Sequence, residues 1–313
     1  MLRATYHRRG LRRWLAAPLL AAMAAAITAC ASAAEPAPEL LIRTDDIGMN
    51  HTVNEALRQF IRTGIPFSAT VMTPCPWFSE AAEILRNNPQ VSVGIHLTLN
   101  SEWADYRWGP VLGASAVPTL VDGNGWFFHT GAELRANDAD MADVEAELRA
   151  QIRRALDAGL DVDFLDYHML TAVSTPGFRD VVEKLAAEFD VGLSHYFGEP
   201  SASLWDVEPG QKLAALLDVV ERARPGLPTL LVMHLGLETP EMNALVDANN
   251  PADPYRVAKH RAAELDALTS PAFRSAVAAR RIGFVTYGDM LERYGRDSMR
   301  RPAGVGYSMD EAE

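Results

Sequence analysis

Two adjacent carboxylates, Asp45 and Asp46, end the apolar run Leu40-Leu41-Ile42-Arg43-Thr44, and Ile47-Gly48 follows. Neighbouring side chains on a strand point to opposite faces, but at a frayed C-terminal end both can turn toward one mouth. Two carboxylates held there repel each other and are costly to bury. A bound cation offsets that cost, taking one Asp as a ligand and leaving the other ionised as a base. A strand end followed by an Asp helix cap is the plain structural alternative. Three other strand ends carry histidine: His96 in Gly94-Ile95-His96-Leu97-Thr98-Leu99, His168 in Asp166-Tyr167-His168, and His234 after Val232-Met233. One carboxylate and two imidazoles make a ligand set that leaves positions open for water and substrate. A metal so held lowers the pKa of its water and polarises a carbonyl. A neighbouring carboxylate could take the proton, and a further His could protonate a leaving amine.

The elements that must position these groups alternate along the chain. Strand-like runs lie at 40–44, 67–72, 91–99, 162–165, 191–196, 229–234 and 282–287. Amphipathic stretches between them read as helices, among them Asn54 to Arg62 closed by Gly64, Asp143 to Ala158, and a helix through Glu188 that opens on Thr175-Pro176. Right-handed βα units of this number make a parallel sheet. The expected fold is therefore α/β, a distorted (β/α) barrel of about seven parallel strands in a single domain, with its chemistry at the strands' C-terminal ends. A doubly wound sheet is the alternative. The first strand is not followed by G-x-G-x-x-G, and there is no P-loop, so nucleotide binding lacks its usual support.

Residues 100–140 interrupt the rhythm with Trp103, Tyr106, Trp108, Trp126, Phe127 and Phe128. Such a segment is either a lid that offers aromatic faces to a sugar or a loop fastened by its own rings. Of the remaining histidines, His195 could line the mouth, His51 starts a helix, His129 lies in a loop and His260 belongs on a helix surface.

The formal net charge is -12, and no basic cluster lies beyond the leader, which excludes nucleic acid as a natural partner. Arg3, Arg8, Arg9, Arg12 and Arg13 precede an Ala/Leu-rich stretch from Leu15 to Ile27 that is short for a membrane span, and then Thr28-Ala29-Cys30. Residues 1–30 thus read as a lipoprotein-like signal peptide with Cys30 the lipidated residue, and 31–38 as a tether. Cleavage in Ala31-Ser32-Ala33-Ala34 would give a free protein instead. Either way the mature chain is exported, to the bacterial periplasm or to a membrane through a lipid anchor. The domain runs from 39 to 297 and a polar, loose tail from 298 to 313. Cys75, the one other cysteine, reads as a partly buried structural residue with no disulfide.

Thr44-Asp45-Asp46-Ile47-Gly48, Gly94-Ile95-His96-Leu97-Thr98-Leu99 and Leu165-Asp166-Tyr167-His168 together resemble the YdjC-like carbohydrate deacetylases, relatives of the polysaccharide deacetylases. The segment from Pro118 to Phe127, Val232-Met233-His234, Arg261-Ala262-Ala263-Glu264-Leu265 and Leu268-Thr269-Ser270-Pro271 are similar too, so the likeness covers roughly residues 39 to 290 in order. The resemblance implies metal-assisted removal of an acetyl group from an N-acetylated sugar. It implies one divalent ion, Zn or Mg, on Asp46, His96 and His168. Asp45 would be the general base acting on the metal-bound water, and His234 the general acid or a stabiliser of the tetrahedral intermediate. Asp166, Tyr167, Trp126 and Arg261 would touch substrate or support the ligands. Many members carry further histidines at alternate positions after the His168 equivalent; here those places are Leu170 and Ala172, which leaves the substrate-side wall apolar.

Two functions remain open from sequence. One is a metal-dependent deacetylase acting on an acetylated amino sugar or glycolipid of the cell envelope. The other is an exported carbohydrate-binding lipoprotein with a catalytically inactive deacetylase scaffold. A homodimer is compatible with either.

Overall fold

The computed structural model describes residues 36–302. The leader with Cys30, tether residues 31–35 and the tail from 303 lie outside the described residues.

Nine residues, Glu39–Ile47, form β1, every one buried except the first. Around it stand β2 (Ser68–Val71), β3 (Ser92–Leu97), β4 (Val162–Tyr167), β5 (Gly192–Leu193), β6 (Ser201–Ser203), β7 (Thr229–Met233) and β8 (Gly283–Val285). All pairings are parallel. The order is β5-β4-β3-β2-β1-β7-β6, with β8 also on β1. The two ends, β5 and β6, do not pair among the described residues, so the sheet curls into a half-barrel open at that seam. The seven expected strands are present, and β6 is the addition. The fifth is cut to two residues because the chain turns at His195, whose φ is +68°.

The helices follow the strands: α1 (His51–Ile61), α2 (Phe78–Arg86), α3 (Gly131–Ala136), α4 (Met141–Asp157), α5 (Pro176–Phe189), α6 (Lys212–Arg222), α7 (Pro240–Asn243), α8 (Val257–Thr269), α9 (Pro271–Arg280) and α10 (Tyr287–Tyr294). Several open as the sequence dictates: Thr175 and Ser270 cap α5 and α9 ahead of a proline.

Strand parity sorts the core into two. Leu40, Ile42, Ala69, Ile95 and Leu165 face the helices within the large apolar cluster. Leu41, Phe164, Leu230 and Val285 face inward and pack with Tyr287 and Met290 of α10. The Phe164 and Tyr287 rings stack at 4.2 Å. One step along each strand, the inward positions turn polar: Arg43 and Asp45 on β1, Thr70 on β2, His96 on β3 and Asp166 on β4. The barrel thus has an apolar floor and a polar C-terminal mouth.

The aromatic segment after β3 is fastened down by its own rings. Trp103, Trp108 and Phe127 are buried. The Trp108 indole N–H donates to Asn100 O at 2.9 Å and the Tyr106 hydroxyl to Met49 O at 2.5 Å. The tail is not loose at its start: Arg300 N donates to Tyr196 O and Arg301 bridges Asp180 and Glu183. Cys75 is fully buried, and burial holds its thiol well above the usual range.

Candidate functional site

Between Thr44 and Ile47, β1 gains one residue relative to β2. That bulge contains Asp46, whose φ is +64°, in the left-handed region that few non-glycine residues adopt. The bulge breaks the strand alternation and lets both Asp45 and Asp46 face the mouth. Met169 (φ 47°), Leu170 (φ 58°) and His195 are left-handed at neighbouring strand ends. Such backbone strain persists only where the surroundings enforce it, and it gathers at functional sites.

Asp46 Oδ1 faces two imidazoles, Nδ1 of His168 at 3.1 Å and Nε2 of His96 at 3.3 Å. These three buried residues place one donor atom each close enough together to take a metal ion. Each ring presents its other nitrogen to a carboxylate. His168 Nε2 lies 2.9 Å from Glu102 Oε2. His96 Nδ1 lies 2.8 Å from Asp166 Oδ2, off the line of a well-formed hydrogen bond. Asp46 Oδ2 accepts from Arg261.

The electrostatics favour positive charge at this point. Burial works against a charged His96, but the Asp166 and Asp46 carboxylates outweigh it and push the pKa up to about 9. Burial likewise opposes a charged His168, and Glu102 with Asp46 raises it to about 10. Burial would lift the Asp46 pKa, yet Arg261 and the two imidazoles hold it well below the usual carboxylate range. The donor set of one carboxylate and two backed imidazoles therefore fits a divalent ion.

Arg43 is the hub beneath. Its Nε and Nη2 grip both oxygens of Asp45, at 2.8 and 2.7 Å, while Nη1 reaches Asp166 and Ser194 Oγ. Thr70 also donates to Asp45 at 2.8 Å. Asp45, His96 and Asp166 form a second, overlapping donor cluster, but a cation there would sit against the Arg43 guanidinium. The first cluster is the better metal site.

His234 follows β7. Its backbone N–H donates to Glu264 on α8, its ring packs against Trp205 at 5.0 Å, and its Nδ1 is buried without a partner. Burial, reinforced by Arg261 against the opposite pull of Asp46, lowers its pKa.

The structure thus brings together Asp45, Asp46, His96, Asp166, His168 and Arg261, while the His234 ring is close enough to feel the charges of Asp45 and Asp46. It does not bring in Tyr167, whose side chain lies in the apolar core with its hydroxyl toward Ser194 O at 3.3 Å. Trp126 stands 43% exposed on a surface turn held by Asp122. His260, expected on a helix surface, is buried against Trp205. Sequence reasoning missed Arg43 and Glu102. For Arg43 a signal existed, since it shares strand parity with Asp45 in an otherwise apolar run. A surface cleft of about 470 Å³ lies at the opposite end of the strands near Asp161, Asp163 and Gly288, away from this cluster.

The sequence profile of the family described as YdjC-like protein matches residues 39–279. A carbohydrate deacetylase from Oceanobacillus iheyensis is 34% identical over 150 residues, 48% of this chain and 61% of the relative. One from Brevibacillus brevis is 33% identical over 153 residues, covering 49% and 57%. The chain thus spans under two-thirds of the length of these relatives. A solved Enterococcus faecalis structure, described as a cellobiose-phosphate cleavage protein, has the same fold. Its TM-score is 0.66 at 22% identity, over 82% of this chain and 99% of that one. The chain belongs to the YdjC-like protein family.

Proposed function

We propose that this protein is a metal-dependent hydrolase that removes an acetyl group from an N-acetylated sugar or glycolipid of the cell envelope, acting after export. The observation that carries this reading is the convergence of His168 Nδ1 and His96 Nε2 on Asp46 Oδ1, beside an Asp45 held by Arg43. The name shared by the relatives, carbohydrate deacetylase, supports the same reaction class.

Asp46, His96 and His168 would hold the ion. Bound there, a divalent cation supplies Lewis acidity, which makes water a better nucleophile and polarises an acyl carbonyl. Asp45 takes the proton from the attacking water. Its bidentate grip by Arg43, with Thr70, fixes its orientation. No carboxylate backs the Nδ1 of His234, and its lowered pKa keeps the ring neutral near pH 7. His234 therefore acts as a neutral N–H donor to the charge that develops on the substrate, rather than as an imidazolium acid. Arg261 holds Asp46 from behind.

Against the binding-protein alternative, three rings of the aromatic loop, Trp103, Trp108 and Phe127, are buried and do not offer faces to a sugar. The test is acetate release from N-acetylglucosamine oligomers and envelope glycolipids, with and without chelator. Release that chelator abolishes and added metal restores is expected. Metal-independent release, or none from any acetylated sugar, would overturn the proposal.

A further inference from the structure

We propose that Glu102 fixes His168 as a ligand through Nδ1, and that the aromatic segment after β3 serves to hold Glu102 in place for that task. This rests on the metal-centre reading above and goes beyond it by assigning a positioning residue.

A carboxylate only accepts hydrogen bonds. Glu102, 4% exposed and 2.9 Å from His168 Nε2, therefore requires a proton on that nitrogen. In the neutral ring the lone pair is then on Nδ1, which points at Asp46 Oδ1. A second ring proton fills that 3.1 Å gap in the metal-free protein, and a bound metal ion would take that proton's place on Nδ1. His96 is turned the other way, with Nδ1 beside Asp166 and Nε2 toward Asp46. The ligand set thus mixes one Nδ1 and one Nε2, each with its own carboxylate behind it.

Glu102 comes from an irregular stretch, and the neighbours of that stretch are fastened firmly. Ser101 N donates to Phe128 O at 2.7 Å, and the Trp103 indole N–H lies 3.3 Å from Met49 Sδ. Asn100 ties both sides of the contact. Its Oδ1 accepts from Thr171 Oγ1 at 2.8 Å, just past the left-handed pair Met169 and Leu170 that follows His168, and its Nδ2 reaches Glu102 at 3.4 Å. The strained turn after His168 and the loop carrying Glu102 are therefore locked to each other.

The experiment uses the full-length chain with ¹⁵N-histidine, loaded with Zn²⁺, and long-range ¹H–¹⁵N correlation of the imidazoles. The expected spectrum shows His168 protonated at Nε2 and metal-bound at Nδ1, with His96 the reverse. Glu102→Leu should weaken Zn²⁺ binding by about 10- to 100-fold. Glu102→Gln keeps an accepting oxygen and should restore most of it and retain the Nδ1-bound spectrum. If Glu102→Leu fails to fold, the wild-type spectrum and the Gln variant still decide. Zn²⁺ bound through His168 Nε2, or a Gln variant as weak as Leu, would overturn the role of Glu102 alone. Failure of the wild type to bind Zn²⁺ would overturn the metal-centre reading and this inference with it.

Discussion

Arg261 and Glu264, one turn apart on α8, support two different strand ends. Arg261 donates to Asp46 near the end of β1, and Glu264 accepts the backbone N–H of His234 after β7. Glu264 also forms a fully buried ion pair with Lys212 at 2.7 Å. One helix thereby sets the spacing between the strand ends that carry Asp46 and His234. Replacing Glu264 with Leu strands a buried ammonium, and the expected loss is about 3–5 kcal/mol of stability. Urea denaturation of Glu264→Leu against wild type measures it; a loss below 1 kcal/mol would mean that the pair is not coupled to the fold.

In the proposed reaction His234 donates to developing charge rather than holding the ion. His234→Ala should cut kcat for acetate release by about 10²- to 10³-fold while leaving bound metal stoichiometric. Loss of metal together with activity would place His234 among the ligands instead.

The metal-free protein should carry a distinctive pH dependence. His96 and His168 have folded pKa values raised to about 9 and about 10 from 6.5. Their contribution to stability is fully present below about pH 6.5 and is lost as pH rises through 9 and 10. For His96 that contribution is of order 3 kcal/mol. Thermal unfolding of chelated protein between pH 6 and 10 should show the decline, and Zn²⁺ should remove most of it. Stability that stays level across this range would contradict the paired-carboxylate account.

Gly94 is required by the barrel interior. A Cβ there would lie 2.5 Å from the Phe164 ring, itself stacked on Tyr287. Gly94→Ala should cost about 1–3 kcal/mol through overpacking. It should also impair metal binding, since Gly94 lies two residues before His96 and beside Phe164 in the register. Calorimetry with metal titration reads both effects.

The polar strand ends were legible because their chemistry lies in residue types: an Asp pair and three histidines, each closing an apolar run. The parallel barrel was legible from alternating apolar periods. Three features were not. The bulge that turns Asp46 into the mouth is a backbone event with no composition of its own. Glu102 meets His168 across 66 residues through a loop without periodicity. His260 lies on α8, which buries Arg261, Glu264 and His260 itself along with its apolar residues. A polar side chain there does not mark the solvent face, so the usual amphipathic reading failed.

The most direct test of the metal centre is anomalous diffraction from crystals soaked in Zn²⁺. One strong peak is expected within bonding distance of Asp46 Oδ1, His96 Nε2 and His168 Nδ1, and it should be lost in Asp46→Asn. Asn tolerates the left-handed backbone at that position, so the variant should fold. A peak centred instead between Asp45, His96 and Asp166, or none at this mouth, would contradict that placement.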